Sequence, residues 1–377
     1  MRTKLLLAPY QLDGISLGNR IVMAPMTRAR VPAPAFAPTA TTAEYYAQRA
    51  SAGLIVSEGI AVSSQARGYC NTPGLYNFEQ EIAWKQVTDA VHRQGGRIFA
   101  QLWHCGRISH VSVHADGAAP VGAGATCAES KTLGCDRETG QSVVVACSPP
   151  RALAADEVER TRDEFARAAG RAMAANFDGV EIHAADGYLL DQFRCPFLNH
   201  RLDRYGGNLE NRCRLLLETS AAVAAVTGAA RVGVRLSPLG IANDMRFDPE
   251  PEATYGYIAR ELGRQGVVYL HLNDQDGSWI HHAHDPLLLG IRRAFSQTLI
   301  LCGGFDAERA EAALRAGTGD LIAFGRLYVS NPDLAERLGG GLALAPYDPK
   351  TFYRDGTSGY VDYPPAGPMP ARPTASG

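Results

Sequence analysis

A histidine, an aspartate and a tyrosine stand close together in the stretch EIHAADGYLLDQF, at His183, Asp186 and Tyr188. At neutral pH the imidazole and the phenol can each donate a hydrogen bond to a ligand oxygen, and the phenol carries a proton it can surrender. An ionised Asp186 can only accept. The trio therefore reads as catalytic machinery with one member of unexpected polarity. It lies at the exit of a candidate strand, GVEIH, and strand alternation sorts its neighbours by face. Glu181 and His183 share one face, opposite Val180 and Ile182. Phe99, Gln101 and Trp103 lie together in RIFAQLWH, Arg235 opposes Val232, Val234 and Leu236 in VGVRLSP, and Tyr269, His271 and Asn273 form a set in VVYLHLN. An inward guanidinium needs an anion or several acceptors, because a bare buried charge is costly. Arg235 either pairs with Glu181 inside the fold or meets an electron-rich ligand edge.

The elements that must position these residues are eight short apolar runs: 20–26, 54–62, 97–104, 179–185, 232–238, 267–273, 298–304 and 321–327. Helical patterns lie between them, among them EQEIAWKQVTDAVHRQG, ADEVERTRDEFARAAGRAMAAN and DAERAEAALRAG. Strands that alternate with helices predict an α/β fold, a single (β/α)8 TIM barrel over residues 1–363 with an N-terminal β-hairpin. A doubly wound sheet is the alternative, but no G-x-G-x-x-G follows the first strand. Residues 105–150 have no long helical pattern and read as a capping excursion after strand three, on the face where barrel active sites lie. The tail from 364 to 377 is expected to be disordered.

Bulk composition narrows the function classes. The chain has 377 residues, 46% hydrophobic and 20% charged, with a formal net charge of -2, so neither nucleic acid nor an acidic membrane surface is an expected partner. MRTKLLLAPY is too brief an apolar run for a signal peptide, which needs roughly 7–15 such residues. No stretch approaches the roughly 18 apolar residues of a membrane span, so a cytoplasmic protein is expected. The eight cysteines show no C-x-x-C pair, which argues against zinc or an iron–sulfur cluster. Disulfides are disfavoured by that compartment, and most cysteines read as small buried side chains.

Two turns add a phosphate hypothesis. CGGF (302–305) and AFGR (323–326) follow the last two strands, where barrels frequently bind phosphate on backbone N–H groups. With these turns in view, the sequence resembles the old yellow enzymes, FMN-dependent ene-reductases on a (β/α)8 barrel. The resemblance covers about nine-tenths of the chain and rests on MAPMTR, QLWHCGR, GVEIHAADGYLLDQF, DRYGGNLENR, VRLSP and AFGR. It implies FMN as cofactor and NADPH as hydride donor. It also implies flavin contacts at Pro25, Met26, Thr27, Gly59, Gln101 and Arg235, with phosphate contacts at Gly304, Gly325 and Arg326. Threonine rather than cysteine at 27 marks one branch of the family. Trp103, Tyr69 and Tyr360 match substrate-pocket residues, with core packing as their alternative. His183 matches a carbonyl-binding donor and Tyr188 the acid that protonates the α-carbon. At Asp186 the family carries asparagine or a second histidine.

Four roles compete for Asp186: a protonated donor, an ion-pair partner for a charged His183, a selector of cationic substrates such as iminium ions, or a loop anchor turned away from the site. The leading function is reduction of an activated C=C bond in a small molecule, in a specialised pathway, by a monomer or homodimer. Desaturation, isomerisation or nitro-group reduction are alternatives on the same scaffold. From other classes come a flavin binder without catalysis and a metal-dependent barrel hydrolase using His183, His271 and one of His281, His282 or His284. No metal is expected.

Overall fold

The computed structural model describes residues 4–275, 278–353 and 356–366. A hairpin of β1 (Tyr10–Leu12) and β2 (Ile15–Leu17) precedes β3 (Ile21–Met23), α1 (Ala40–Ala47), β4 (Leu54–Ala61), α2 (Phe78–Arg93) and β5 (Ile98–Trp103). An excursion follows with β6 (Val121–Gly122), β7 (Lys131–Cys135), β8 (Ser142–Ala146) and β9 (Arg151–Ala152). Then come α3 (Ala155–Ala174), β10 (Gly179–His183), α4 (Leu189–Arg194), α5 (Leu209–Thr227), β11 (Val232–Leu236), α6 (Pro251–Arg264) and β12 (Tyr269–Asn273). The chain continues through α7 (Pro286–Ala294), β13 (Thr298–Cys302), α8 (Ala307–Ala316), β14 (Leu321–Phe324), α9 (Arg326–Ser330) and α10 (Leu334–Gly340). Strands β3, β4, β5, β10, β11, β12, β13 and β14 close into one parallel barrel, the fold read from the sequence.

Alternation divides the strand residues between two cores. Ile21, Met23, Val180, Ile182, Val232, Val234, Leu299, Leu301 and Ile322 pack outward with helix residues such as Trp84, Phe165 and Leu262. Val22, Leu54, Val56, Phe99, Tyr269, Ile300, Leu321 and Ala323 pack inside the barrel. Leu12 and Leu17 of the hairpin join that inner cluster and plug one end of it. The expected strands overrun the observed ones mainly at their C-terminal ends, where the backbone leaves the ladder to form the loops of the mouth. Helix ends follow local chemistry: Asn77, Asn208 and Asp306 cap α2, α5 and α8 by accepting from backbone N–H groups, each replacing a partner the first turn lacks.

The excursion forms a cap. Its β7–β8 pair is an antiparallel hairpin, while β6 and β9 pair in parallel at its base. Cys135 on β7 is disulfide-bonded to Cys70, with Cα atoms 5.1 Å apart. This corrects the expectation of unpaired thiols: the two residues lie 65 apart in sequence, and only the fold of the hairpin over the 66–72 loop brings them together. Of the other cysteines, Cys105, Cys147, Cys195 and Cys213 are buried and Cys127 is exposed. No helix among the described residues is long and apolar enough to cross a membrane. Most of the tail expected to be disordered, residues 367–377, lies outside the described residues.

Small residues make room for the inner aromatic layer. A Cβ at Gly233 would overlap the ring of Tyr269, and one at Gly179 would overlap Phe99. Those rings pack against each other, with centroids 5.7 Å apart. Gly233→Ala is therefore expected to lower stability by roughly 1–3 kcal/mol through overpacking, read as a lower urea midpoint. An unchanged midpoint would mean that the Tyr269 ring has space to retreat.

Candidate active site

A cleft of about 840 Å³ opens where the barrel strands end, and its wall includes Pro25, Met26, Thr27, Gln101, Trp103, His183, Asp186, Tyr188 and Arg235. Register explains why residues so distant in sequence meet: Gln101 lies beside Glu181, His183 beside Arg235, and Arg235 beside His271 on adjacent strands. Beneath the wall runs a buried polar chain. Gln101 Nε2 donates to Glu181 Oε1 at 2.8 Å, His271 Nδ1 lies 2.8 Å from Glu181 Oε2, and Arg235 lies 2.7 Å from His271 Nε2. The barrel-interior alternative for Arg235 is thus met indirectly, with an imidazole between guanidinium and carboxylate. His271, invoked for a metal hydrolase, is committed to that chain.

Aromatic rings line the other side. Tyr69 stacks on Trp103 with centroids 5.3 Å apart, and Tyr188 meets Trp103 edge-on at 4.8 Å and His183 at 4.9 Å. The Tyr69 and Tyr188 hydroxyls are 2.9 Å apart and share a hydrogen bond. Burial raises both phenols well above their ordinary range, so both stay protonated. Burial, reinforced by Arg235, pushes His183 down to about 3, which leaves the imidazole neutral. Its Nδ1 has no hydrogen-bond partner among the described residues.

Asp186 sits in the left-handed region at φ 58, a conformation that aspartate tolerates better than most residues. Its N–H donates to Ser237 Oγ at 2.7 Å and its C=O accepts from Asn243 Nδ2 at 2.7 Å, so the backbone is pinned on both sides. The side chain nonetheless faces the cleft: Oδ1 accepts from Asn273 Nδ2 at 2.8 Å, while Oδ2 is 3.8 Å from Arg235 Nε and 3.9 Å from His183 Nε2. Burial raises the carboxyl above its ordinary range, and Arg235 and Asn273 only partly pull it back. Of the four competing roles, the pair with an imidazolium is at odds with a neutral His183, and a side chain turned out of the site is at odds with the cleft-facing carboxyl.

Two expected site residues stand apart from the cleft wall. Gly59 lies behind Trp103, where a Cβ would collide with the indole, so it permits the position of that ring. Tyr360 follows the packing alternative: it is 1% exposed, stacks on Tyr45 at 4.2 Å and carries the Arg28 and Arg30 guanidinium groups over its ring. Phe352 and Tyr353 line the cleft from the C-terminal segment instead. Asn243, Asn273 and Gln275 were missed as site residues; only Asn273 left a signal, as the last member of an inward strand set.

The residues present fit FMN. Arg235 Nε is buried and makes no hydrogen bond among the described residues, its ion-pair partner Asp186 Oδ2 standing 3.8 Å off, which leaves it a donor for an electron-rich edge. At the far end Gly304, at φ 64, leaves open space where a side chain would stand, and Gly325 and Arg326 join it in the wall, a cradle for an anion. A closed barrel with this mouth belongs to the flavin-dependent oxidoreductases. The chain is a member of the NADH:flavin oxidoreductase / NADH oxidase family, which it matches over residues 5–345. It is 42% identical to 12-oxophytodienoate reductase 1 of Oryza sativa subsp. japonica over 371 residues, 95% of this chain and 92% of the relative. A structure of morphinone reductase in complex with tetrahydroNAD superposes with a TM-score of 0.92 at 44% identity, covering 97% of this chain and 99% of the other. The old yellow enzyme homologue from Zymomonas mobilis gives 0.89 at 39% identity, covering 95% and 99%. The resemblance read from the motifs holds, and with it the FMN-dependent oxidoreductase, which sets the hydrolase aside.

Because burial raises the Asp186 carboxyl, the folded state favours its neutral form more than the unfolded chain does. The associated stability is fully present below the ordinary aspartate range and is lost as pH rises through the raised value. Asp186→Asn should therefore raise the unfolding temperature more at pH 8 than at pH 4. An equal change at both pH values would mean that the carboxyl titrates normally.

Proposed function

We propose that the protein reduces the activated C=C bond of an α,β-unsaturated carbonyl compound, with His183, Asp186 and Tyr188 as its catalytic residues. Hydride would come from a reduced nicotinamide, NADPH by the resemblance, and the enzyme would work in the cytoplasm. Bound FMN supplies the hydride-transfer chemistry. Pro25, Met26, Thr27, Gln101 and Arg235 hold its ring system, and Gly304, Gly325 and Arg326 its phosphate. The neutral His183 donates to the substrate carbonyl oxygen, where negative charge develops as the β-carbon gains hydride. Tyr188 delivers a proton to the α-carbon, and its hydrogen bond to Tyr69 fixes the direction of the hydroxyl. Trp103 and Tyr69 enclose the substrate and keep water out.

Asp186 takes the place of the second donor. Asn273 already occupies Oδ1, so the acidic proton belongs on Oδ2, the oxygen nearer His183. In its protonated form, which burial favours, the carboxyl donates beside the imidazole, while the ionised form repels the developing enolate. The observation that carries this reading is the buried carboxyl facing the cleft next to a neutral His183. Enone turnover is expected to fall as pH rises through the raised range of Asp186. Asp186→Asn, a permanent donor, removes that fall and raises the rate at pH 8 by about tenfold, the worth of one such hydrogen bond. Stopped-flow oxidation of the reduced enzyme by an enone from pH 5 to 9, with both proteins and after reduction by NADPH or NADH, tests it. Identical flat profiles would overturn the role of Asp186. A rate unaffected by Tyr188→Phe would remove the tyrosine as acid.

A further inference from the structure

Glu181 and His271 are both fully buried, and neither lines the cleft. Their geometry nonetheless dictates what two cleft residues can offer a ligand. Glu181 Oε1 accepts from Gln101 Nε2 at 2.8 Å, while Oε2 accepts from the Tyr269 hydroxyl at 3.1 Å and from His271 Nδ1 at 2.8 Å. One tautomer of His271 satisfies its two shortest contacts, Nδ1–H donating to the carboxylate at 2.8 Å and Nε2 accepting from Arg235 at 2.7 Å. The longer 3.2 Å approach of the same Arg235 nitrogen to Nδ1 is no hydrogen bond in that form. A charged imidazolium would have no lone pair left for the guanidinium. Burial and then Arg235 push His271 down, in keeping with that neutral form. For Glu181 the His271 ring, Arg235 and Gln101 more than offset burial, and the group is held below its ordinary range as a carboxylate.

Two consequences follow for the cleft. The Gln101 amide cannot turn over, because its carbonyl would then face the carboxylate, so Oε1 is the atom presented to a ligand. Arg235 is held at His271 through one terminal nitrogen, and its buried Nε makes no hydrogen bond among the described residues. Asp186 Oδ2 stands 3.8 Å away, too far to take the proton, so Nε is left as a donor at the cleft. An acceptor from one strand and a donor from another suit a ring edge with N–H beside C=O. We infer that Glu181 and His271 are positioning residues for FMN, fixing the polarity of Gln101 and the aim of Arg235, and so setting both the affinity and the potential of the bound flavin. This rests on the family's use of FMN, not on the substrate reading above.

The test compares wild type with His271→Leu, His271→Gln and Glu181→Gln. FMN affinity is measured by titrating flavin fluorescence with apoprotein, and the midpoint potential by anaerobic reductive titration of the loaded protein. Circular dichroism of each apoprotein reports folding. His271→Leu removes both contacts of the ring. It should weaken FMN binding about tenfold or more, the loss of a charge-assisted hydrogen bond, and move the potential negative as Arg235 loses its aim. His271→Gln keeps a donor and an acceptor and should stay within about threefold of wild type. Glu181→Gln has the same size but replaces one accepting oxygen by an NH2 group. Facing Gln101 it turns the Gln101 carbonyl inward, and facing His271 it claims the Nδ1 lone pair and sets the Nε2–H against Arg235, so FMN binding should weaken similarly in either orientation. That variant decides the matter should the leucine substitution fail to fold. Folded His271→Leu or Glu181→Gln protein with wild-type affinity and potential overturns the inference. Wild-type apoprotein that takes up no FMN would instead undo the flavin assignment itself.

Discussion

A carboxylate with no access to water has to be compensated by its neighbours, and Glu181 is such a group near the top of the barrel. Its partners come from two other strands: Gln101 from β5, and Tyr269 and His271 from β12. The next link, Arg235, comes from β11. No pair of strands alone could satisfy this group. The four strands are consecutive neighbours, β5, β10, β11 and β12, and their parallel register together with the inward curvature of the barrel brings these positions within hydrogen-bond reach of one another. The polar floor of the cleft and the fold are therefore one construction, and the catalytic rim is built outward from it.

Above that floor the site turns apolar. Trp103 lies over Gly59, Tyr69 stacks on Trp103, and Tyr188 closes the edge, so each ring is held by the one beneath it. Tyr69 is delivered by the 66–72 loop, and the neighbouring Cys70 is tied to the cap hairpin at Cys135. The cap thereby fixes a residue that hydrogen-bonds Tyr188, the proposed proton donor. Desolvation is the common cause of the site's electrostatics: it keeps His183 neutral, both tyrosines protonated and Asp186 above its ordinary range. A wall that excludes water and the protonation of the groups behind it are consequences of the same packing.

Much of this was legible in the chain. Apolar alternation sorted Val180, Ile182, Val232 and Val234 outward and Gln101, Glu181, His183, Arg235 and His271 inward, as the two cores and the polar chain show. The glycine turns after the last two strands fell where the cleft places them. Tyr360 took the packing alternative that the sequence left open, since an aromatic beside Arg28 and Arg30 packs as readily as it lines a pocket. Asn243 and Tyr353 left no trace, because a loop residue has no periodicity to betray its direction. Disulfide formation by Cys70 and Cys135 depended on where the hairpin folds, which no spacing encodes.

The sequence by itself determined the barrel, the faces of its strands, the family and the identity of the residues at the mouth. These follow from local periodicity and from short motifs, which are properties of neighbouring positions. Tertiary structure alone decided that His271 stands between Arg235 and Glu181, that Asp186 turns its carboxyl into the cleft while its backbone anchors the loop, and that Tyr69 reaches Tyr188. Alternation specifies a direction for each side chain but not a distance to the next one. Those distances, and the burial that sets the charge of every group in the site, exist only once the barrel has closed and the cap has folded over it.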